Sequence, residues 1–137
     1  MLSKRGVFRP VCFPVSKVSF SVTLDFIRID FYYISGQAVL NRFSGGTFVE
    51  KCCHFFDLMR LILDQDPVRV FATGGQACNH LDEHYSQGTP DILDHGLVIV
   101  EFDGGARATL DLCMFAEGAK FEQDISLTGD EARLDVH

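Results

Sequence analysis

The sequence predicts an α+β fold in which a mainly antiparallel open sheet carries one principal helix on one face. Three observations support this prediction: a glycine turn followed by helical periodicity over residues 44–63, alternating strand patterns, and a glycine hairpin within residues 94–115. With 47% hydrophobic and 23% charged residues, the 137-residue chain has the composition of one globular domain or of part of one.

The predicted helix opens at the glycine pair Gly45-Gly46. Glycine permits backbone angles that a side chain would forbid, and Ser44 or Thr47 can cap the exposed N–H groups. The helix then supplies a broad apolar surface, made of Phe48, Cys52, Phe55, Phe56, Met59, Ile62 and Leu63. We therefore expect this surface to pack on the sheet.

Three polar side chains accompany that surface: Glu50, His54 and Asp57. Helical spacings of four and three place them on one face, each within reach of the next. A carboxylate beside an imidazole can orient it and tune proton transfer near neutral pH, so these are the candidate catalytic residues. Two other interpretations stay open: a solvated polar stripe, and part of a zinc site whose other ligands lie elsewhere.

Alternating side chains predict strands on both sides of the helix. Residues 17–33 alternate apolar with polar side chains, which predicts one long strand or a hairpin. Residues 68–72 alternate again and form a short predicted strand, which the glycines at 74–75 close.

The segment 76–90 is polar and without period, so it is predicted to be a long loop. Its Cys78, His80 and His84 are ligand-type residues, but the ordinary zinc spacings are not met. We favour a solvated loop that contributes to a substrate pocket, and we predict no metal site.

The hairpin is the clearest strand signal. Its arms, residues 94–102 and 106–115, flank the turn Asp103-Gly104-Gly105. The first arm is apolar on both faces and is predicted to be buried on both, whereas the second arm alternates. Further strands are predicted at 121–128 and 133–136.

Charge changes sign near residue 40. Residues 1–40 carry five basic and two acidic side chains, a net +3, whereas residues 41–137 carry seven basic and seventeen acidic ones, a net −10. We therefore predict a leader at 1–40, with the possible strand at 17–33, followed by a separate unit at 41–137. The total charge of −7 argues against a nucleic-acid partner.

Five cysteines, two of them adjacent, form no disulfide framework, so a reducing, cytoplasmic location is expected. Prolines and charged residues interrupt the N-terminal apolar mixture before a signal peptide can form. No run of about 18 apolar residues occurs, so we predict no membrane span.

The order of helix, strand, hairpin and strand resembles the C-terminal domain of the Gfo/Idh/MocA oxidoreductases over residues 41–137. The residues that carry the resemblance are Gly45-Gly46-Thr47 with Glu50, His54 and Asp57, then Pro67-Val68-Arg69-Val70, the hairpin from Val98 to Ala106, Ile125-Ser126-Leu127-Thr128-Gly129 and Arg133-Leu134. The leader at 1–40 does not share the resemblance.

The resemblance implies an NAD- or NADP-dependent enzyme that oxidises sugars or polyols, with a Rossmann nucleotide domain ahead of this α/β domain. His54 matches the family's acid/base histidine, and Glu50 matches the acidic residue four places before it. Asp57 is expected to hold the other ring nitrogen or to contact substrate. The family's open sheet commonly forms subunit contacts, which implies a homo-oligomer.

The chain departs from the family in one important respect. No Gly-x-Gly-x-x-Gly follows a strand anywhere in it, so the nucleotide-binding fingerprint is missing. We therefore predict an incomplete Gfo/Idh/MocA C-terminal domain that binds neither NAD nor NADP alone and is inactive alone. The alternative function is a non-catalytic dimerisation or interaction module.

Overall fold

The computed structural model describes residues 19–25, 39–116 and 118–137. Three helical segments lie between the first two strands: α1 (Asn41–Ser44), α2 (Gly46–Glu50) and α3 (Cys53–Leu63). The strands are β1 (Ser19–Asp25), β2 (Pro67–Gly75), β3 (His95–Phe102), β4 (Arg107–Cys113), β5 (Gln123–Thr128) and β6 (Arg133–Val136). They form one sheet in the order β2-β3-β4-β1-β5-β6.

The predicted fold class is confirmed. Every strand pair in the sheet is antiparallel except β1 with β4, which is parallel. The principal helix, α3, packs on one face of the sheet, and the other face carries no helix within the described part of the chain. None of the described helices is long and apolar enough to span a bilayer.

The single helix predicted over 44–63 is instead split into segments. Gly45 is left-handed, at φ 75°, and separates α1 from α2. Between α2 and α3 the Cys52 N–H donates to the Thr47 carbonyl, five residues back, at 3.3 Å. Threonine and cysteine are weak helix formers, and the wider turn places Cys52 fully in the core.

Strand β1 links the predicted leader to the sheet. It lies between β4 and β5, and its Phe20 is fully buried. Residues 19–25, from the predicted leader, thus share one sheet with the later strands. The remainder of the predicted strand at 17–33 lies outside the described residues.

The hairpin arms differ from each other in burial. The second arm is confirmed: its alternating apolar residues, Ala106, Ala108, Leu110, Leu112 and Met114, are all buried. The prediction that the first arm is buried on both faces is wrong, because β3 is buried only on the helix side. Leu97, on the other face, is 39% exposed, since no described layer covers it.

The hydrophobic core lies between α3 and the sheet. Met59 and Leu63 of α3 are buried, and Phe55 and Phe56 are partly buried against the same cluster. The sheet contributes Phe20, Val98, Val100, Phe102, Ala108, Leu110 and Leu112. This packing fixes α3, and with it the candidate polar residues, relative to the strands.

Candidate functional site

Glu50 is the last residue of α2 and is half-buried. Its Oε2 atom is buried and has no hydrogen-bond partner among the described residues. A buried carboxylate oxygen without a donor is costly, because it has lost its hydration and gained nothing in return. Glu50 therefore has an acceptor to offer to a donor that comes from outside the described residues.

His54 and Asp57 lie on the exposed side of α3, three residues apart. Among the described residues, neither side chain has a hydrogen bond or an ion pair, including with the other. Both are therefore accessible to a ligand, although no described side chain fixes the orientation of either.

The structure does not join the three candidate residues into the connected stripe that helical spacing predicted. The interruption at Lys51 and Cys52 breaks the ladder between Glu50 and His54, so they are not a regular i, i+4 pair. No hydrogen bond joins Glu50 to His54. The site is an exposed imidazole and carboxylate on α3 beside a separate, half-buried carboxylate on α2.

The glycine turn that carries the site is anchored at its start. The Ser44 hydroxyl accepts the Gly46 N–H at 3.0 Å, as the sequence predicted for one of two possible caps. Thr47, the other candidate, is buried and donates instead to the Leu93 carbonyl at 3.0 Å. The beginning of α2 is thus attached to the segment that leads into β3.

The long loop forms a second attachment for the same turn. The Asp91 carboxylate accepts the Asn41 N–H at 2.7 Å, and the Asn41 side-chain amide donates to the Asp91 carbonyl. Arg42 donates to the Gln87 carbonyl. The loop predicted at 76–90 therefore supports the entry to α2.

Asp94 holds this loop in place and was not identified from the sequence. Its buried carboxylate accepts the N–H groups of Ala77, Cys78 and Asn79 at 2.7–3.0 Å, and the Nδ1–H of His95 at 2.8 Å. Burial opposes its ionisation, but these hydrogen bonds together outweigh burial and lower the pKa of Asp94. Only the apolar run that follows Asp94 hinted that it lies at a strand end.

The ligand-type residues of the loop do not gather around a metal position. Buried His80 donates from Nδ1 to the Glu83 carboxylate at 2.8 Å, and the Tyr85 hydroxyl donates to the same oxygen at 2.6 Å. His84 lies 3.4 Å from the Thr89 hydroxyl. In the described part of the chain, no three His, Cys, Asp or Glu residues are placed to hold a metal ion.

The two adjacent cysteines have different surroundings. Cys52 is fully buried, as expected for a packing residue, whereas Cys53 is exposed. Burial, with a smaller contribution from the charge of Cys53, raises the pKa of the Cys52 thiol to about 12. Cys52 is therefore a neutral apolar side chain and not a nucleophile.

The described glycine pairs do not fit a dinucleotide. That site needs a glycine turn that leaves a strand and opens a long helix, where the N–H groups meet the pyrophosphate. Gly45-Gly46 follows α1 and opens a five-residue helix, and Gly74-Gly75 lies inside β2. Gly104-Gly105 forms the β3–β4 turn. We assign none of these residues to NAD or NADP.

Solved dehydrogenases share this fold. The WlbA dehydrogenase from Bordetella pertussis, in complex with NADH and UDP-GlcNAcA, is 17% identical with a TM-score of 0.71 over 89% of this chain and 36% of its own. A probable dehydrogenase from Thermotoga maritima is 25% identical with a TM-score of 0.63, over 90% and 34%. A putative myo-inositol dehydrogenase from Sinorhizobium meliloti is 20% identical with a TM-score of 0.61, over 90% and 33%.

The present chain thus spans about a third of the length of these structures. A search of curated proteins found no match. The sequence model of the oxidoreductase-family C-terminal α/β domain, Gfo/Idh/MocA type, matches residues 37–137 and includes all three candidate site residues. The chain therefore belongs to the Gfo/Idh/MocA oxidoreductase family and contains its C-terminal α/β domain.

Proposed function

We propose that the chain is the substrate-binding domain of a sugar or polyol oxidoreductase, with His54 as the acid/base for a substrate hydroxyl. The observation that carries this proposal is the placement of His54: it lies within the family match, exposed on α3 and without a partner among the described residues. The named relatives support the substrate class, since one is in complex with UDP-GlcNAcA and another is named as a putative myo-inositol dehydrogenase.

The three side chains have distinct roles in this proposal. The imidazole of His54 accepts the proton of the substrate hydroxyl as a general base. The Oε2 atom of Glu50, which no described donor reaches, accepts a hydrogen bond from a second substrate hydroxyl. Asp57, one turn beyond His54 and without a hydrogen bond to it, contacts the substrate.

The proposal includes no cofactor step on this chain. The family acts with NAD or NADP, but the described residues provide no dinucleotide site. We propose that the chain alone is inactive, and that any cofactor is supplied by a separate nucleotide domain. All four cysteines that the structure describes are free thiols, which supports a reducing, cytoplasmic location.

Ligand-observed NMR of the 137-residue chain tests the substrate half-site. Saturation transfer to myo-inositol or glucose should be detectable with millimolar affinity, because half of a site binds weakly. The His54→Ala variant should lose the signal, whereas His84→Ala, another exposed histidine, should keep it. Equal signals from both variants would show that His54 takes no part in binding.

A second function, the oligomerisation module, is favoured by one observation. The uncovered face of the sheet carries an apolar patch of Phe71, Leu97 and Ile99, with Phe71 52% exposed. Two copies that pack these faces together would bury the patch. Sedimentation of Leu97→Lys against wild type tests this contact, and an unchanged mass would remove its support.

A further inference from the structure

The two edges of the sheet are unequal. One edge strand, β6, has four residues, of which Arg133 and Asp135 are charged. The other, β2, has nine residues with a single charge, Arg69. Proteins usually protect a free edge by keeping it short or charged, because its unpaired N–H and C=O groups can pair with another chain. By this criterion β6 is protected and β2 is not.

The side chains of β2 are exposed to solvent, as its unpaired backbone edge is. Among the described strands it pairs only with β3, and eight of its nine residues are exposed. Three of them are large apolar residues: Val68, Val70 and Phe71 are 64%, 57% and 52% exposed. Pro67 and the irregularity between Pro67 and Arg69 disrupt only the beginning of the strand.

An apolar cleft of about 290 Å³ runs beside this edge, between α3 and the sheet. Phe56, Met59 and Arg60 line it from α3, and Val70, Val98 and Val100 line it from the strands. The Arg60 guanidinium is paired with Asp66 of the same chain at 2.5 Å. Ile62, near the end of α3, is 42% exposed, and Val68, near the start of β2, is 64% exposed. The same edge therefore offers both an apolar cleft and apolar side chains that can enter one.

We infer that β2 pairs with β2 of a second copy of this chain, which extends the sheet across a two-fold axis. A surface that carries both cleft and protruding side chains is self-complementary, as a two-fold contact requires. The contact also avoids like charges. Arg69, the one charge on the strand, is held by Glu101 of its own chain at 2.5 Å. This contact is distinct from the uncovered sheet face and goes beyond the proposed function.

An antiparallel pair with its two-fold axis at Ala72 satisfies these conditions, because residues that face each other then lie on the same side of the sheet. It places Val70 of each copy opposite Gly74 of the other, where no side chain competes for space. Arg69 then faces an uncharged residue, Gly75, rather than the partner's arginine. The central segment 70–75 contains neither proline nor charge, so its backbone is free to form the ladder.

Analytical ultracentrifugation of the full chain and three lysine variants tests this contact. Val70→Lys places a charge in the cleft, and should weaken dimerisation at least about tenfold and return the mass to one 15.3 kDa protomer. Leu134→Lys is the matched control, because Leu134 lies on the opposite edge strand and is 58% exposed against 57% for Val70. It should sediment as wild type. Leu97→Lys, on the uncovered face, should also leave the edge contact intact.

Circular dichroism and hydrogen exchange make the outcome interpretable. Val70→Lys should keep the wild-type far-UV spectrum, since the side chain is exposed. In the wild type, raising the concentration should slow exchange within β2 and leave β6 unchanged. The inference is overturned by a monomeric wild type at about 200 µM, by a dimer that survives Val70→Lys, or by a dimer lost only in Leu97→Lys.

Discussion

At the scale of single residues, the most strongly held polar group is Asp94 and not a candidate catalytic residue. Glu50, His54 and Asp57 make no hydrogen bonds with one another, whereas Asp94 accepts four donors from a fully buried position. This division is physically reasonable, since groups that must meet a substrate need to be free, and groups that hold a loop need to be satisfied.

Replacement of Asp94 by asparagine should therefore destabilise the fold. The amide keeps the size but loses the charge-assisted bonds and places an NH₂ group among N–H donors. We expect a loss of about 2–4 kcal/mol in the free energy of unfolding, measured by urea denaturation at pH 7. Asp111→Asn, at an exposed position on β4, should cost less than about 0.5 kcal/mol. Similar losses in both variants would contradict the role of Asp94.

The pH dependence of stability follows from the direction of the same shift. The folded-state pKa of Asp94 lies below its ordinary value of 3.8, so the unfolded chain binds this proton first. The stabilisation is complete above the ordinary value and is lost as pH falls through the folded-state pKa. Acid titration followed by circular dichroism should show a loss below about pH 4 that is smaller in Asp94→Asn. Parallel curves for the two proteins would refute this.

Residue-level prediction from sequence succeeded where local chemistry decides. The Ser44 cap was predictable because the N–H groups exposed at a glycine turn need a nearby hydroxyl acceptor. The burial of Cys52 was predictable because free cysteine behaves as a small apolar side chain. Sequence spacing could not show the break after Glu50, because it depends on how Thr47 and Cys52 pack. Nor could it identify Asp94, whose backbone donors in the loop lie 15 to 17 residues earlier in the chain.

At the scale of elements, the glycine turn before α2 fixes the position of the candidate site. Gly46 has φ 76°, and a Cβ there would overlap the Asn41 side-chain oxygen. That oxygen belongs to the amide that ties the turn to Asp91. The turn is therefore constrained both by its own backbone and by the loop that supports it.

Gly46→Ala should destabilise the chain more than strain at a positive φ alone can explain. Gly118, at φ 84°, has no described atom within 4 Å of the point where a Cβ would lie, so Gly118→Ala isolates the cost of the backbone angle. We expect about 1–2 kcal/mol for Gly118→Ala and at least about 1 kcal/mol more for Gly46→Ala, from thermal or urea unfolding. Equal costs would show that the Asn41 contact relaxes freely.

At the level of strands, burial was predicted correctly where apolar and polar side chains alternate. It was predicted wrongly where burial depends on whether a second layer covers the sheet. The burial predicted for β4 agrees with the structure, because alternation with period two requires only one buried face of the sheet. The burial of the apolar β3 was overpredicted, since a run of apolar residues does not show whether a second layer is present. Strand β2 extends through its glycine pair because pairing with β3 holds it in register.

At the scale of the whole molecule, the family match and the fold agree, but the chain spans about a third of its solved relatives. The change in charge near residue 40 suggested two units, and β1, from the first of them, lies inside the sheet that the later strands form. Composition could not reveal this, because strand pairing between distant segments leaves no local signal.

The missing dinucleotide fingerprint gives a prediction for the whole chain. Isothermal titration with NAD⁺ or NADH should show no binding tighter than about 1 mM, because no described glycine turn joins a strand to a long helix. The control is the same titration of a solved relative such as the WlbA dehydrogenase from Bordetella pertussis, whose structure holds NADH, and it should show binding. Micromolar binding by the chain alone would show that it carries a nucleotide site of another kind.

The proposed function depends on contact between His54 and a sugar or polyol, which NMR of the imidazole signals can measure. In a carbon-labelled chain, myo-inositol should shift the ring signals of His54 in a saturable way, and leave those of His84 and His137 in place. Glu50→Gln should weaken this response by about tenfold, since it removes the carboxylate proposed to accept a second hydroxyl. A His54 signal that stays fixed while the ligand saturates another histidine would contradict the proposed role of His54.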